Sequence, residues 1–285
     1  MPSLLIYLNM RLYLYIFLFL SIIINGQTII TPNFSIKNSP FEVKNYGVSS
    51  YNIYYKVNFM ENALSENSKR EVLCILEQGE GLSKFFDYNQ LRKDSLLNKY
   101  KDLPTIGAKE ANEILKIPVL WKKVVFKNQG SITVQDRYKD TYQYEEAQPK
   151  LNWKLENEEK NIIGYKCKKA TGQYRGRNYI AWYAEEIPIN NGPYIFEGLP
   201  GLILEAEDLD QKFKFVAVGI NKKSKPIYLR NEKSIIKTSR EKFRNVQKTF
   251  YENPGAIFSG KAYNEDGSPI IIKQQNIQYE PMEID

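Results

Sequence analysis

Gly192-Pro193-Tyr194-Ile195-Phe196-Glu197-Gly198-Leu199-Pro200-Gly201-Leu202-Ile203-Leu204-Glu205-Ala206-Glu207 is the stretch on which the fold turns. Leu199-Pro200-Gly201-Leu202 has the composition of a type II turn. Pro200 presets φ near the value the second position needs, and Gly201 accepts the positive φ of the third. Behind the turn, Leu202 to Glu207 alternates acidic with apolar residues, as a strand does. Asp208-Leu209-Asp210-Gln211 is a second turn, and Lys212-Phe213-Lys214-Phe215-Val216-Ala217-Val218 returns with period two. The whole reads as a β-hairpin led in by a glycine-proline corner.

Working outward, the chain has the content of a β protein. Of 285 residues 13% are aromatic, with 21 Tyr and 14 Phe, a composition that suits pleated strands better than long helices. Candidate strands upstream are Ser50–Phe59, Glu71–Glu77, Leu82–Phe86, Trp121–Lys127, Ser131–Arg137, Thr141–Glu146, Leu151–Leu155, Asn161–Ala170 and Arg177–Glu185. They are short and separated by Gly, Asp or Pro turns, the pattern of an antiparallel meander. Short helices are predicted around Leu91–Leu97 and over Ala108–Leu115. Downstream, Thr238-Ser239-Arg240-Glu241 has the form of a capping box, and Phe243, Val246 and Phe250 share one helical face before Pro254-Gly255 stops the run. Ile270-Ile271-Ile272 is a candidate last strand. The fold class is therefore mainly β (α+β): a single curved antiparallel sheet or half-barrel of about nine to eleven strands, packed on one helix in the C-terminal region.

The ends define the domain plan. Arg11 followed by an apolar core of about 13 residues and then Gly26 has a signal-peptide layout, and is short of the roughly 20 residues that span a bilayer. Residues 1–26 are thus expected to be a signal peptide, with Met10 as an alternative start. Residues 27–47, polar with Pro32 and Pro40, are an expected tether, and 48–285 a single domain. That places the chain in the periplasm or at the cell surface, with no stable transmembrane span after cleavage.

The net charge of +7 arises from 40 basic and 33 acidic residues with no basic run of five or more, which argues against a nucleic-acid partner. There is no histidine. Histidine-based triads and haem ligation through histidine are excluded, and Cys74 and Cys167, 93 positions apart, make no zinc signature. No metal or other cofactor is expected. In an exported chain the two cysteines either pair as a disulfide or stay as separate buried thiols. Arg177, Glu186, Glu197 and Asp208 are the charged residues around the central stretch. Nothing in their spacing makes them converge, so they are expected as solvent-facing alternation with one or two salt bridges.

Tyr165 to Thr171, Gly176-Arg177, Tyr179, Ala181-Trp182-Tyr183, Glu186-Ile187-Pro188, Gly192-Pro193 and Gly198-Leu199-Pro200-Gly201-Leu202-Ile203 together resemble the signature of the GLPGLI family. Ser83-Lys84-Phe85-Phe86 followed by Asp94-Ser95 is similar to that family's upstream segment. The resemblance implies an exported protein of Bacteroidetes and no particular reaction. Within it, Gly192, Pro193, Gly198, Leu199, Pro200 and Gly201 read as turn and close-approach residues. Tyr179, Trp182, Tyr183 and Tyr194 are candidate lining for an apolar ligand on the concave face, with core packing as the competing reading. The expected function is a non-catalytic cell-envelope protein that binds a hydrophobic ligand, a lipidated chain or an outer-membrane partner. The alternatives are a carboxylate-based hydrolase of glycan or peptide, and a structural adaptor at the cell surface.

Overall fold

The computed structural model describes residues 33–39, 41–61, 68–138, 140–252 and 280–284. The expected signal peptide, the stop at Pro254-Gly255 and the candidate strand Ile270–Ile272 lie outside them. In chain order the strands are β1 (Ser35–Lys37), β2 (Val43–Val48), β3 (Tyr51–Met60), β4 (Lys69–Gln78) and β5 (Leu82–Asp87). Helix α1 (Tyr88–Tyr100), strand β6 (Thr105–Gly107) and helix α2 (Ala108–Leu115) follow. Then come β7 (Val124–Asn128), β8 (Ser131–Arg137), β9 (Thr141–Ala147), β10 (Trp153–Ile162), β11 (Tyr165–Tyr174) and β12 (Arg177–Ala184). The last elements are β13 (Leu202–Asp208), β14 (Phe213–Asn221), β15 (Pro226–Arg230), β16 (Ile236–Lys237) and α3 (Arg240–Glu252).

Twelve strands make one curved sheet that does not close into a barrel, in the order β10-β11-β12-β13-β14-β3-β4-β5-β7-β8-β9-β16. Every pair in it is antiparallel except β16 on β9. The predicted hairpin is there, with Glu205 opposite Val216, Ala206 opposite Phe215 and Glu207 opposite Lys214. Alternation sorts the faces. In β3, Ile53, Tyr55 and Val57 point to the core while Lys56 is exposed, and in β14 Phe213, Phe215 and Ala217 do the same. Register then sets Phe213 opposite Phe59 and Phe215 opposite Val57.

What fills the concavity is the chain itself. Residues 185–201, between β12 and β13, form no strand, yet Ile187, Tyr194, Ile195, Phe196 and Leu199 are buried in the same core as the inner sheet face. Lys127 on β7 donates to the Phe196 carbonyl (3.0 Å), and Trp153 on β10 donates to the Glu197 carbonyl (2.7 Å). Strands β7 and β10 are far apart in the sheet order, so one segment touches both only because the sheet bends around it. Helix α3 lays Phe243 against Tyr138, Tyr142 and Tyr144 beside β9.

Several local expectations are corrected. Gly201 is not in the left-handed region, so no type II turn forms there. Its N–H donates to Leu199 O (2.8 Å), an i to i+2 closure around Pro200 of the γ-turn kind, which proline's φ suits. Glycine is required because a Cβ at 201 would meet Ala184 O at 2.2 Å. It is Gly198 that takes positive φ, at +97°. The strand expected over Leu151–Leu155 runs instead over Trp153–Ile162, and it absorbs Asn161. Helix α3 is capped by Ser239, whose Oγ accepts the Lys242 N–H (3.3 Å), and not by Thr238. Part of the expected tether is paired: β1 with β6, and β2 with β15.

Candidate binding site

The aromatic residues singled out around the central stretch do not share a ligand surface. Tyr179, Tyr183 and Tyr194 are 1%, 1% and 2% exposed, inside the core. Trp182 points to the other face of β12 and carries the Lys160 ammonium over its ring at 4.3 Å. The phenol of Tyr179 donates to Met282 O (3.3 Å) and that of Tyr194 to Glu283 Oε1 (2.7 Å). Burial pushes the Tyr194 phenol well above its ordinary pKa, and the Glu283 carboxylate adds to it. All three are core residues, and Tyr179 and Tyr194 have their hydroxyl satisfied.

The charged set divides in the same way. Arg177 and Asp208 are not solvent-facing: they form a buried ion pair at 3.0 Å, and Arg177 also binds Glu280 and Pro281 O. Burial raises the Asp208 pKa against the opposing pull of the Phe213 N–H and of Arg177. Glu197 is half-buried and engages Lys127 at 3.6 Å, whereas Glu186 is exposed. Asp208 and Glu197 therefore answer to separate cations on separate strands. Cys74 and Cys167 are both free and buried, on β4 and β11, so the disulfide alternative is set aside. Among the described residues no cluster of acidic or sulfur ligands fits a metal, and no helix is long and apolar enough to cross a membrane.

Sequence reading passed over the residue around which a cleft does form. Trp121 lies before β7, and what places it is Asp87. One carboxylate oxygen of Asp87 accepts the Asn89 N–H (2.8 Å) and caps α1. The other accepts the N–H groups of Leu120 (2.9 Å) and Trp121 (3.1 Å). One side chain thus closes the start of a helix and holds the backbone of a loop 33 residues further on. Burial raises the Asp87 pKa, and these three N–H bonds oppose that.

The indole meets Phe59, Phe215, Phe85 and Tyr194 edge-to-face with centroids 5.5, 5.7, 6.1 and 6.2 Å away. Its Nε1–H has no acceptor among the described residues, although Trp121 is only 5% exposed. Trp121 lines an open cleft of about 80 Å³ at the rim of the core, with Phe59, Leu120, Tyr138, Phe213 and Met282 as further apolar walls. Glu61, Lys122, Lys123, Asp136 and Glu280 line it as well. There Lys123 and Asp136 form an ion pair. Burial works against the Lys123 ammonium, but Asp136, Tyr144 and Glu283 hold its pKa above the ordinary range. Such a cleft can take an apolar body with one hydrogen-bond acceptor. The only hint of it in the sequence was that Trp121 opens a predicted strand it turns out not to join.

A family profile described as a protein of unknown function (Porph_ging) matches residues 175–205. This stretch runs from the turn after β11 through β12 and the core-filling segment into β13. No curated protein matches the chain. Among solved structures, PNGF-II in the P21 space group matches with a TM-score of 0.42 and 16% identity, covering 70% of this chain and 33% of that one. PNGF-II in the C2 space group gives the same score and identity over 72% and 34%. The chain spans about a third of the length of the PNGF-II chains it matches.

Proposed function

We propose that this protein is an exported, non-catalytic binding protein of the GLPGLI family. In this reading it takes an apolar group bearing a hydrogen-bond acceptor, such as the carboxyl end of an acyl chain, into the Trp121 cleft. The observation that carries the reading is the buried indole N–H of Trp121, without a partner among the described residues, just behind a cleft that Trp121 lines. A buried donor without an acceptor costs about 1–3 kcal/mol, a cost that a ligand carbonyl or carboxylate there would relieve. With a volume of about 80 Å³ the cleft has room for one end of a ligand, the rest lying outside it. The concave face itself, closed by residues 185–201, is not where this ligand sits.

The test is titration of delipidated protein with a fluorescent fatty-acid probe, in wild type and in Trp121→Phe. Saturable binding that weakens several-fold in the variant, as expected for loss of one hydrogen bond worth about 1 kcal/mol, supports the reading. No saturable binding, or equal binding by Trp121→Phe, overturns it.

A further inference from the structure

A second cleft, of about 160 Å³, adjoins the first and shares Lys122 and Asp136 with it. It opens on the outer side of the sheet. On β5, Phe85 packs in the main core, while the alternate positions Lys84 and Phe86 line this outer cleft. Helix α1, the end of β8 and strand β15 complete it. The upstream motif meets itself here. Lys84 sits at 3.1 Å from Glu77 with the rings of Phe86 and Tyr228 each 4.0 Å away, and Tyr228 donates to Asp94 (3.1 Å).

The charges in the cleft do not balance. Its carboxylates are all engaged. Asp94 accepts from Gln90, Tyr228 and Arg230, Asp136 is held by Lys123, and Glu232 is held by Arg230. Two lining cations, Lys122 and Arg137, make no ion pair among the described residues. Lys93 of α1 does not line the cleft but stands near Arg137 and Arg230, and it makes no ion pair among the described residues. Burial first, then repulsion from Arg137 and Arg230, lowers its pKa, and the neighbouring Asp94, already engaged by Arg230, only partly offsets that. The neutral part of the lining includes the hydroxyls of Ser39, Thr141 and Ser234, none of which makes a side-chain hydrogen bond to another described residue.

We infer that this outer cleft binds a sugar bearing a carboxylate or phosphate group, with Arg137 and Lys93 neutralising its charge and the free hydroxyls meeting its ring. Planar guanidinium donors match either oxyanion in a two-pronged fashion. Surplus cations explain why the ligand is acidic, and unpaired hydroxyls why it is polyhydroxylated. This inference stands independently of the Trp121 cleft, which neither Arg137 nor Lys93 lines.

The experiment is calorimetric titration of the whole protein at low salt with glucuronate, with glucose 6-phosphate and with glucose. Lys93→Gln/Arg137→Gln is titrated alongside. Both side chains lack ion pairs, so the double variant should melt with the wild type. Expected are binding of at least one acidic sugar, no binding of glucose up to about 10 mM, weakening of about tenfold in the double variant, and weakening by added salt. Whichever acidic sugar binds identifies the oxyanion. The inference is overturned if neither acidic sugar binds, if glucose binds equally well, or if the folded double variant binds as the wild type does.

Discussion

Gly201→Ala tests how the core-filling segment is seated. A Cβ at 201 would lie 2.2 Å from Ala184 O and 2.6 Å from Ala184 C, both main-chain atoms of the neighbouring strand, where ordinary contact begins at 3.4 Å. The strand or the corner must therefore move by about 1 Å, and overpacking of this kind costs roughly 3 kcal/mol. Reduced freedom of the unfolded chain returns up to about 1 kcal/mol, since the native φ at 201 is open to alanine. The net loss is about 2–3 kcal/mol, a large share of a typical 5–15. For a chain of this size that lowers Tm by about 4–12 °C. Thermal melts followed by circular dichroism should include two comparisons. Gly198→Ala meets nothing closer than 3.5 Å but must hold φ at +97°, a strain of about 1–2 kcal/mol. Gly219→Ala has open space around it and should change stability by less than about 0.5 kcal/mol. A Gly201→Ala melt within about 2 °C of wild type, or a larger loss from Gly198→Ala, would refute the close-approach account.

Two further outcomes follow from groups that pin or underlie the core. Burial lowers the Lys127 pKa to about 8 against the pull of Glu197, while Lys127 donates to Asn191 Oδ1 (2.7 Å) and Phe196 O. The folded state then binds fewer protons than the unfolded one between about pH 8 and 10.5, so this group makes stability rise with pH there, by roughly 1 kcal/mol per pH unit. Denaturant melts of wild type and Lys127→Met should differ in slope over that window alone, and parallel curves would sink the assignment. Cys74 and Cys167 are buried free thiols, with burial raising Cys167 to about 11, so a thiol reagent should label neither in the native protein and both in denaturant. An unreduced protein two mass units light would show a disulfide instead.

The class of fold was legible because period-two alternation and turn residues are local signals. Tyr51 to Met60, Ser131 to Arg137 and the Leu202 to Asn221 hairpin each declare their faces without reference to the rest of the chain. The site was not legible, because its parts come together only through pairing across the chain. Trp121 owes its place to Asp87. The outer cleft joins Lys84, Arg137 and Arg230, whose only link is that β5, β7 and β8 are neighbours and β15 lies over them.

The glycine-proline corner shows the division most clearly. Alone, the sequence established that a sharp break precedes the strand at Leu202, since a proline followed by a glycine can continue neither helix nor strand pairing. Whether Gly201 was needed for its φ or for the missing side chain was decided by Ala184, which only the pairing of β12 with β13 brings alongside. The same holds for the tyrosines of the motif. Their aromatic character was evident from the sequence, but which of them became core depended on the sheet curving around residues 185–201 and using those positions as its own filling.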